Sequence, residues 1–329
     1  MRVLVTGAAG MLGRRLAAGL LAAEAVTVNG RTARIDRLLA ADIAEAPLAA
    51  LAADPRVQPL PGPVDAPETL AALRAAAPDA IVHLAAVVSG AAEADYDLGV
   101  RGNIEALQAL IKAARALPAP PVFVFASSVA VFSAATNETL SEETLPAPRS
   151  SYGTQKLIGE LMLRDASRRG FLQARALRLP TVVVRPGAPN AAASSFASGI
   201  LREPLAGRDA VLPVPETLRL HLASPASAVA ALRHALALEQ AALAGETTIT
   251  LPGLSVTVAE MIDALRRIAG PEAAARIRRA PDPAVEAIVA SWPGGLCTPR
   301  AEALGFAADA DVDALIRQHI AETTATAAA

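Results

Sequence analysis

The sequence predicts an α/β fold: a doubly wound parallel sheet covered by helices on both faces, followed by a smaller α/β region. Three observations predict it. Short β-branched runs alternate with helical patterns of ten to twenty residues over the first half of the chain. The first run ends directly in a glycine-rich turn that opens a helix. After about residue 185 the rhythm breaks into a Gly/Pro/Asn/Ser-rich loop and shorter elements.

The elements follow in order. RVLVT (2–6) is a strand closed by Gly7, and a helical pattern runs from Met11 to about Ala23. Two segments compete for the second strand, AVTVN (25–29) and LLAAD (38–42). VQPL (57–60) is a short third strand, and PETLAALRAAA (67–77) a helix. DAIVHLA (79–85) and PVFVFAS (121–127) are buried strands separated by a helical segment, 98–117. A turn-rich loop covers 133–150, a helix starts at Tyr152, and ARALRLPTVVV (174–184) holds a strand. Further on, helices are expected at 225–238, 257–269 and 310–322, with a strand near TTITL (247–251). The domains expected are 1–185 and 186–329.

Composition narrows the function. The chain has 329 residues, 53% hydrophobic and 19% charged, enough for a sizeable core and too apolar for disorder. Lys and Arg number 30 against 32 Asp and Glu, so no basic face points to nucleic acid or an anionic membrane. The single cysteine, Cys297, makes no internal disulfide, and no Cys/His spacing suggests a metal. No signal peptide or apolar run of about 18 residues is present, so a cytoplasmic protein without a membrane partner is expected.

Four motifs carry chemistry. T-G-A-A-G-M-L-G places Gly7, Gly10 and Gly13 between a strand and a helix. A dinucleotide pyrophosphate needs backbone N–H groups, a positive helix end and no side chain in its way, so this turn is a candidate Rossmann-type cofactor loop. HLAA (His83–Ala86) ends the fourth strand with small residues against which a ribose can lie; His83 itself reads as a core residue. Tyr152 and Lys156 stand four apart at a helix start, on one face, in a chain with only two tyrosines and two lysines. A cation beside a phenol favours phenolate, which can take a proton from an alcohol. Ser127 and Ser128 end the fifth strand, where ligands of open parallel sheets sit.

These pieces, in this order, resemble the short-chain dehydrogenase/reductase superfamily in its extended, epimerase-like branch. Longer stretches, HLAAVVSGAAEADYD (83–97), SSYGTQKLIGELML (150–163) and LPGLSVTVAEM (251–261) among them, resemble the D-erythronate dehydrogenase family. The resemblance implies NAD-dependent oxidation of the C2 hydroxyl of a four-carbon sugar acid, D-erythronate to 2-dehydro-D-erythronate. It implies Ser128 as the hydroxyl that orients substrate, Tyr152 as the acid/base, Lys156 as the ribose-binding and activating cation, and Asn103 as support for a proton relay. The cofactor set it implies is Gly7, Gly10, Met11, Leu12, Gly13, Asp42, Val64, Asp65, Leu84, Ala85, Ala86, Asn103, Tyr152, Lys156, Pro180 and Thr181. Family members carry an Asp where this chain has Pro63 in G-P-V-D, which leaves adenine to the backbone or to Asp65. They carry a Lys at Ala188, and RHWHASP where this chain reads RLHLASP (219–225).

An acid at the end of the second strand accepts bonds from the adenosine ribose and repels a 2′-phosphate. Asp42 supplies it if that strand is 38–42, giving NAD; Arg31 would favour NADP if the strand is 25–29. The gap from Gly13 to Asp42 exceeds the usual spacing of about 20 residues, yet NAD is the expected cofactor. Candidate donors for a sugar-acid carboxylate are Ser89, Asn190, Ser194, Ser195 and Arg185, with Arg219 and His221 as further options, while Ser128 and Tyr152 meet the reacting hydroxyl. A homodimer through helices 98–117 and 152–169 is expected. Two other functions share the motifs: a nucleotide-sugar epimerase or dehydratase, and a non-catalytic NAD(P)-sensing protein.

Overall fold

The computed structural model describes residues 1–187 and 192–328. Two compact units share the chain: Met1–Ser127, Thr154–Arg178 and Val229–Ile249 form the first, and Ser128–Gly153, Leu179–Ala228 and Thr250–Ala329 the second. A single cut after residue 185 therefore differs from the packing. Segment 128–153 belongs with the second unit, and 229–249 returns to the first.

The first unit is built on a seven-stranded sheet of β1 (Arg2–Thr6), β2 (Arg37–Asp42), β3 (Val57–Pro61), β4 (Ala80–His83), β5 (Val122–Ser128), β6 (Gln173–Leu179) and β7 (Thr248–Thr250). Their spatial order is β7-β6-β5-β4-β1-β2-β3, reversing direction beside β1. The registers of β1 with β2 and β4, of β2 with β3, and of β4 with β5 are parallel. Such strands are buried on both faces, which is why they read as continuous apolar runs. Leu4, Leu39, Ile81, Phe123 and Phe125 meet Leu107, Leu110 and Leu163 from covering helices in one core cluster.

The competition for the second strand resolves in favour of 38–42: Arg37–Asp42 pairs with β1. The rival segment is a strand too, Val26–Val28, but it pairs only with Arg31–Ala33 in a separate antiparallel hairpin. Asn29 and Gly30 turn it, at φ +48° and +74°, the backbone a tight hairpin demands. This inserted hairpin is what lengthens the gap between Gly13 and Asp42. The helical segment expected at 98–117 is interrupted. Tyr96–Val100 and Ala106–Arg115 flank a π-helical turn, Arg101–Glu105, that carries Asn103.

The second unit holds a three-stranded sheet, with Arg219–Ala223 central between Thr181–Val182 and Leu254–Thr257. Within the loop expected at 133–150, Thr139–Ser141 pairs in parallel with Gly295–Cys297. Helices Ser195–Leu205 and Val258–Ala269 bury Ile200, Leu201, Met261 and Leu265 in its core. A capping box between Thr257 and Glu260 starts the second of these. Among the described residues, no helix is long and apolar enough to cross a membrane.

Candidate active site

In the first unit, β1 runs into the glycine turn and then helix α1 (Met11–Ala22). Gly7 has φ +68°, and a Cβ there would lie 2.7 Å from the Ala85 nitrogen. A Cβ on Gly13 would lie 2.0 Å from the Gly7 carbonyl oxygen. Both glycines are thus required by close backbone approach. Gly10 caps α1 without any side-chain acceptor, and its first turn has no acidic residue. The first-turn amides, uncapped by any side chain, and the positive helix end suit a pyrophosphate. Asp42 sits at the carboxyl end of β2, its carboxylate accepting from the Ala9 nitrogen at 2.9 Å and the Ala44 nitrogen at 3.0 Å. The acid therefore braces the glycine turn while staying half-exposed. Arg31 is elsewhere. It pairs at 2.5 Å with Asp79, the residue before β4, at the amino edge of the sheet. The residues present fit a dinucleotide at the carboxyl edge.

The rest of that edge follows the sheet. Leu84 donates from its backbone to Thr6, and Leu84–Ala86 stay accessible beyond β4. Val64 is buried in the core and Asp65 is exposed, both after β3. His83 is fully buried, its Nδ1 hydrogen-bonded to Thr6 at 2.7 Å and its ring stacked on Phe125. Burial pushes its pKa down to about 3, with the Lys156 charge adding to the effect, so it is a neutral core residue.

Asn103 is buried in the π-helical turn. Its Oδ1 accepts from the Val87 nitrogen at 2.8 Å, and its Nδ2 donates to the Val87 oxygen at 3.0 Å and to Gln155 Oε1 at 2.7 Å. It clamps the chain just beyond Ala86. Ser89, also buried, begins the next short helix, Ser89–Ala94. Helix α2 (Ser151–Arg168) carries Lys156, only 3% exposed. The ammonium donates to the Ala126 carbonyl at 2.8 Å and lies 4.7 Å from the centre of the Phe125 ring. Burial lowers its pKa to about 7, and Glu160 opposes the fall.

In the second unit, Ser128 accepts from the Ala130 nitrogen at 3.1 Å and hydrogen-bonds the Tyr152 phenol. Burial pushes that phenol above its ordinary value, while the Arg185 charge and the Ser128 bond pull it back. Arg185 donates to the Val182 carbonyl at 3.0 Å and to Ser194 at 3.2 Å. Of the residues named from sequence, Ser128 thus bonds Tyr152 and Arg185 bonds Ser194, with the Arg185 charge acting on the Tyr152 phenol. Thr181 pairs with Leu222 in the smaller sheet, directly after Pro180. Asn190 lies outside the described residues, as does Ala188.

Residues 3–219 match the sequence pattern of the NAD dependent epimerase/dehydratase family. The chain belongs to that family. Membership of the NAD dependent epimerase/dehydratase family supports a nicotinamide cofactor. Two relatives bear the name D-erythronate dehydrogenase. That from Cupriavidus necator is 47% identical over 320 residues, covering 97% of this chain and 98% of its own. That from Haemophilus influenzae is 43% identical over 320 residues, covering 97% and 99%. A crystal structure described as the nucleoside-diphosphate-sugar epimerase from Agrobacterium tumefaciens is 41% identical, with a TM-score of 0.87 over 97% of this chain and 93% of that one.

Against this family background, two sequence-named options have other work. Arg219 donates to the Ser255 carbonyl at 2.8 Å and faces Glu260 at 3.6 Å. His221 is buried against the Leu251 carbonyl, with its pKa lowered to about 4 by burial. Sequence reading missed Gln155 and Glu160, the partners of Asn103 and of Ser127. Their spacing from Tyr152 and Lys156 on one helix was the available signal.

Proposed function

We propose that this protein is an NAD-dependent dehydrogenase that oxidises the C2 hydroxyl of D-erythronate to the ketone. The observation that carries the chemistry is the Ser128–Tyr152 hydrogen bond at the carboxyl end of β5, beside the Arg185 charge. The names of two full-length relatives support the substrate. NAD, when bound, supplies the acceptor for the hydride from C2. Ser128 holds the substrate oxygen, and Tyr152 as phenolate takes its proton. Arg185 and Lys156 are the two cations assigned to favouring that phenolate, with Lys156 also binding the ribose hydroxyls. Asp42 accepts from the adenosine ribose and disfavours a 2′-phosphate, which supports NAD over NADP. Asn103 holds the cofactor-facing loop through Val87. Ser89, Ser194 and Asn190 donate to the substrate.

A second reading, turnover of a nucleotide sugar, is favoured by the description of the Agrobacterium tumefaciens structure. One assay separates the two. Absorbance at 340 nm with NAD and NADP across four- to six-carbon aldonates should show NADH formation with D-erythronate; tightly retained NAD with conversion of a UDP-sugar would overturn the reading. Tyr152→Phe should reduce kcat by about 10²–10⁴-fold with an unchanged melting curve. The exposed side chains of Leu98 and Leu161 support a homodimer through helices 98–117 and 152–169, testable by light scattering. A cytoplasmic location completes the proposal.

A further inference from the structure

Three successive residues at the end of β5 each grip one residue of α2. The Ala126 carbonyl accepts from Lys156, the Ser127 hydroxyl donates to Glu160 at 2.5 Å, and Ser128 bonds Tyr152. Tyr152, Lys156 and Glu160 are spaced by four and share one helix face. Glu160 has no part in the chemistry proposed above, yet it is only 3% exposed. A carboxylate buried that deeply needs hydrogen-bonding and charged partners. It is secured by Arg178 on β6, whose Nε and Nη2 approach its two oxygens at 3.0 and 2.8 Å. Breaking such a pair is costly, and a buried pair is weak evidence for stability alone. A role beyond packing is therefore worth seeking.

We propose that Glu160 is a positioning residue for Lys156: its buried carboxylate, fixed by Arg178 and Ser127, supplies the negative field that keeps the neighbouring ammonium charged and seated on Ala126. The inference rests on the reading of Lys156 as a cation toward the cofactor. The groups facing Lys156 from each packed element are these. From β4, His83 is neutral; from β5 come a carbonyl and a ring face. From β6 the facing charge is Arg178, which is positive and already engaged. On α2 itself, Tyr152 is one turn before and Glu160 one turn after. Burial alone lowers Lys156 towards neutrality, and Glu160 is the group that opposes it.

The sequence makes the test direct. Lys156 and Lys112 are the only lysines, and Lys112 is exposed. Full-length protein with ¹³C-labelled lysine gives two side-chain signals, assigned with Lys112→Arg, and pH titration reads the Lys156 charge without cofactor or substrate. Glu160→Gln should move the Lys156 midpoint down by about one pH unit. NADH affinity, read by fluorescence, should then weaken at correspondingly lower pH. Glu160→Asp should return both towards the parent values. If Glu160→Gln does not fold, the same difference is read between Arg178→Met and Glu160→Gln/Arg178→Met. A lowered melting temperature with an unmoved Lys156 titration would make Glu160 merely structural and overturn the proposal. Absence of NADH binding by the parent protein would instead overturn the functional reading, leaving the lysine titration to stand or fall by itself.

Discussion

The two edges of the seven-stranded sheet use their polar groups in opposite ways. At the amino edge, charges are matched locally. The Met1 ammonium pairs with Asp36, Asp79 takes both the Arg2 nitrogen and the Arg31 guanidinium, and Arg56 pairs with Asp54. At the carboxyl edge, α1 begins with no side-chain cap, Asp42 spends its oxygens on two backbone amides, and Lys156 is drawn inside. The difference is what favours the carboxyl edge for the proposed cofactor. One edge is closed by surface ion pairs worth little each; the other offers backbone donors and a helix dipole that a bound anion completes.

Four substitutions can break or sharpen that contrast. Gly13→Ala should be the most damaging, since its Cβ meets backbone rather than a movable side chain. We expect a loss of about 3 kcal/mol in denaturant unfolding and at least about tenfold weaker NADH binding. Next comes acid sensitivity. His83 has its pKa lowered to about 3 in the fold, so the unfolded chain binds the extra proton. Its contribution is complete above pH of about 6.5 and is lost as pH falls towards 3, amounting to about 2 kcal/mol by pH 5. His83→Gln should flatten that part of the stability–pH curve, with His221 left to account for a further slope. Asp42→Ala should shift the NAD/NADP preference about tenfold towards NADP, about 1.4 kcal/mol, in parallel binding titrations. Arg31→Ala should do least, costing under about 1 kcal/mol of stability and leaving the NAD/NADP ratio unchanged. A changed ratio would show that the amino edge also reads the cofactor.

Much of this was legible in the chain. The glycine turn, the helix carrying Tyr152 and Lys156, and the buried strands are local patterns, and local patterns survive in sequence. The second strand was harder because Val26–Val28 has the better composition, while its Asn29-Gly30 turn marks a hairpin outside the main sheet. The interruption at Asn103 was invisible to a helical periodicity that both flanking helices satisfy. Glu160 and Arg178 were illegible as a pair, because strand and helix must be assembled before they meet. Arg185 was read as a carboxylate donor, and its charge on the Tyr152 phenol depends on a loop returning to that helix start.

The last strand of the large sheet has one more consequence. β7 arrives from residues 248–250, some seventy positions after β6, and Arg175 on β6 ties down the same returning segment through Leu238 and Gln240. The first unit therefore cannot be excised as a contiguous fragment. A chain stopped at Arg185 would present β6 as a bare edge and strip the buried Arg175 guanidinium of its Leu238 and Gln240 acceptors, inviting strand-to-strand association with its own copies. Any transplant of this sheet must carry that returning arm along with it.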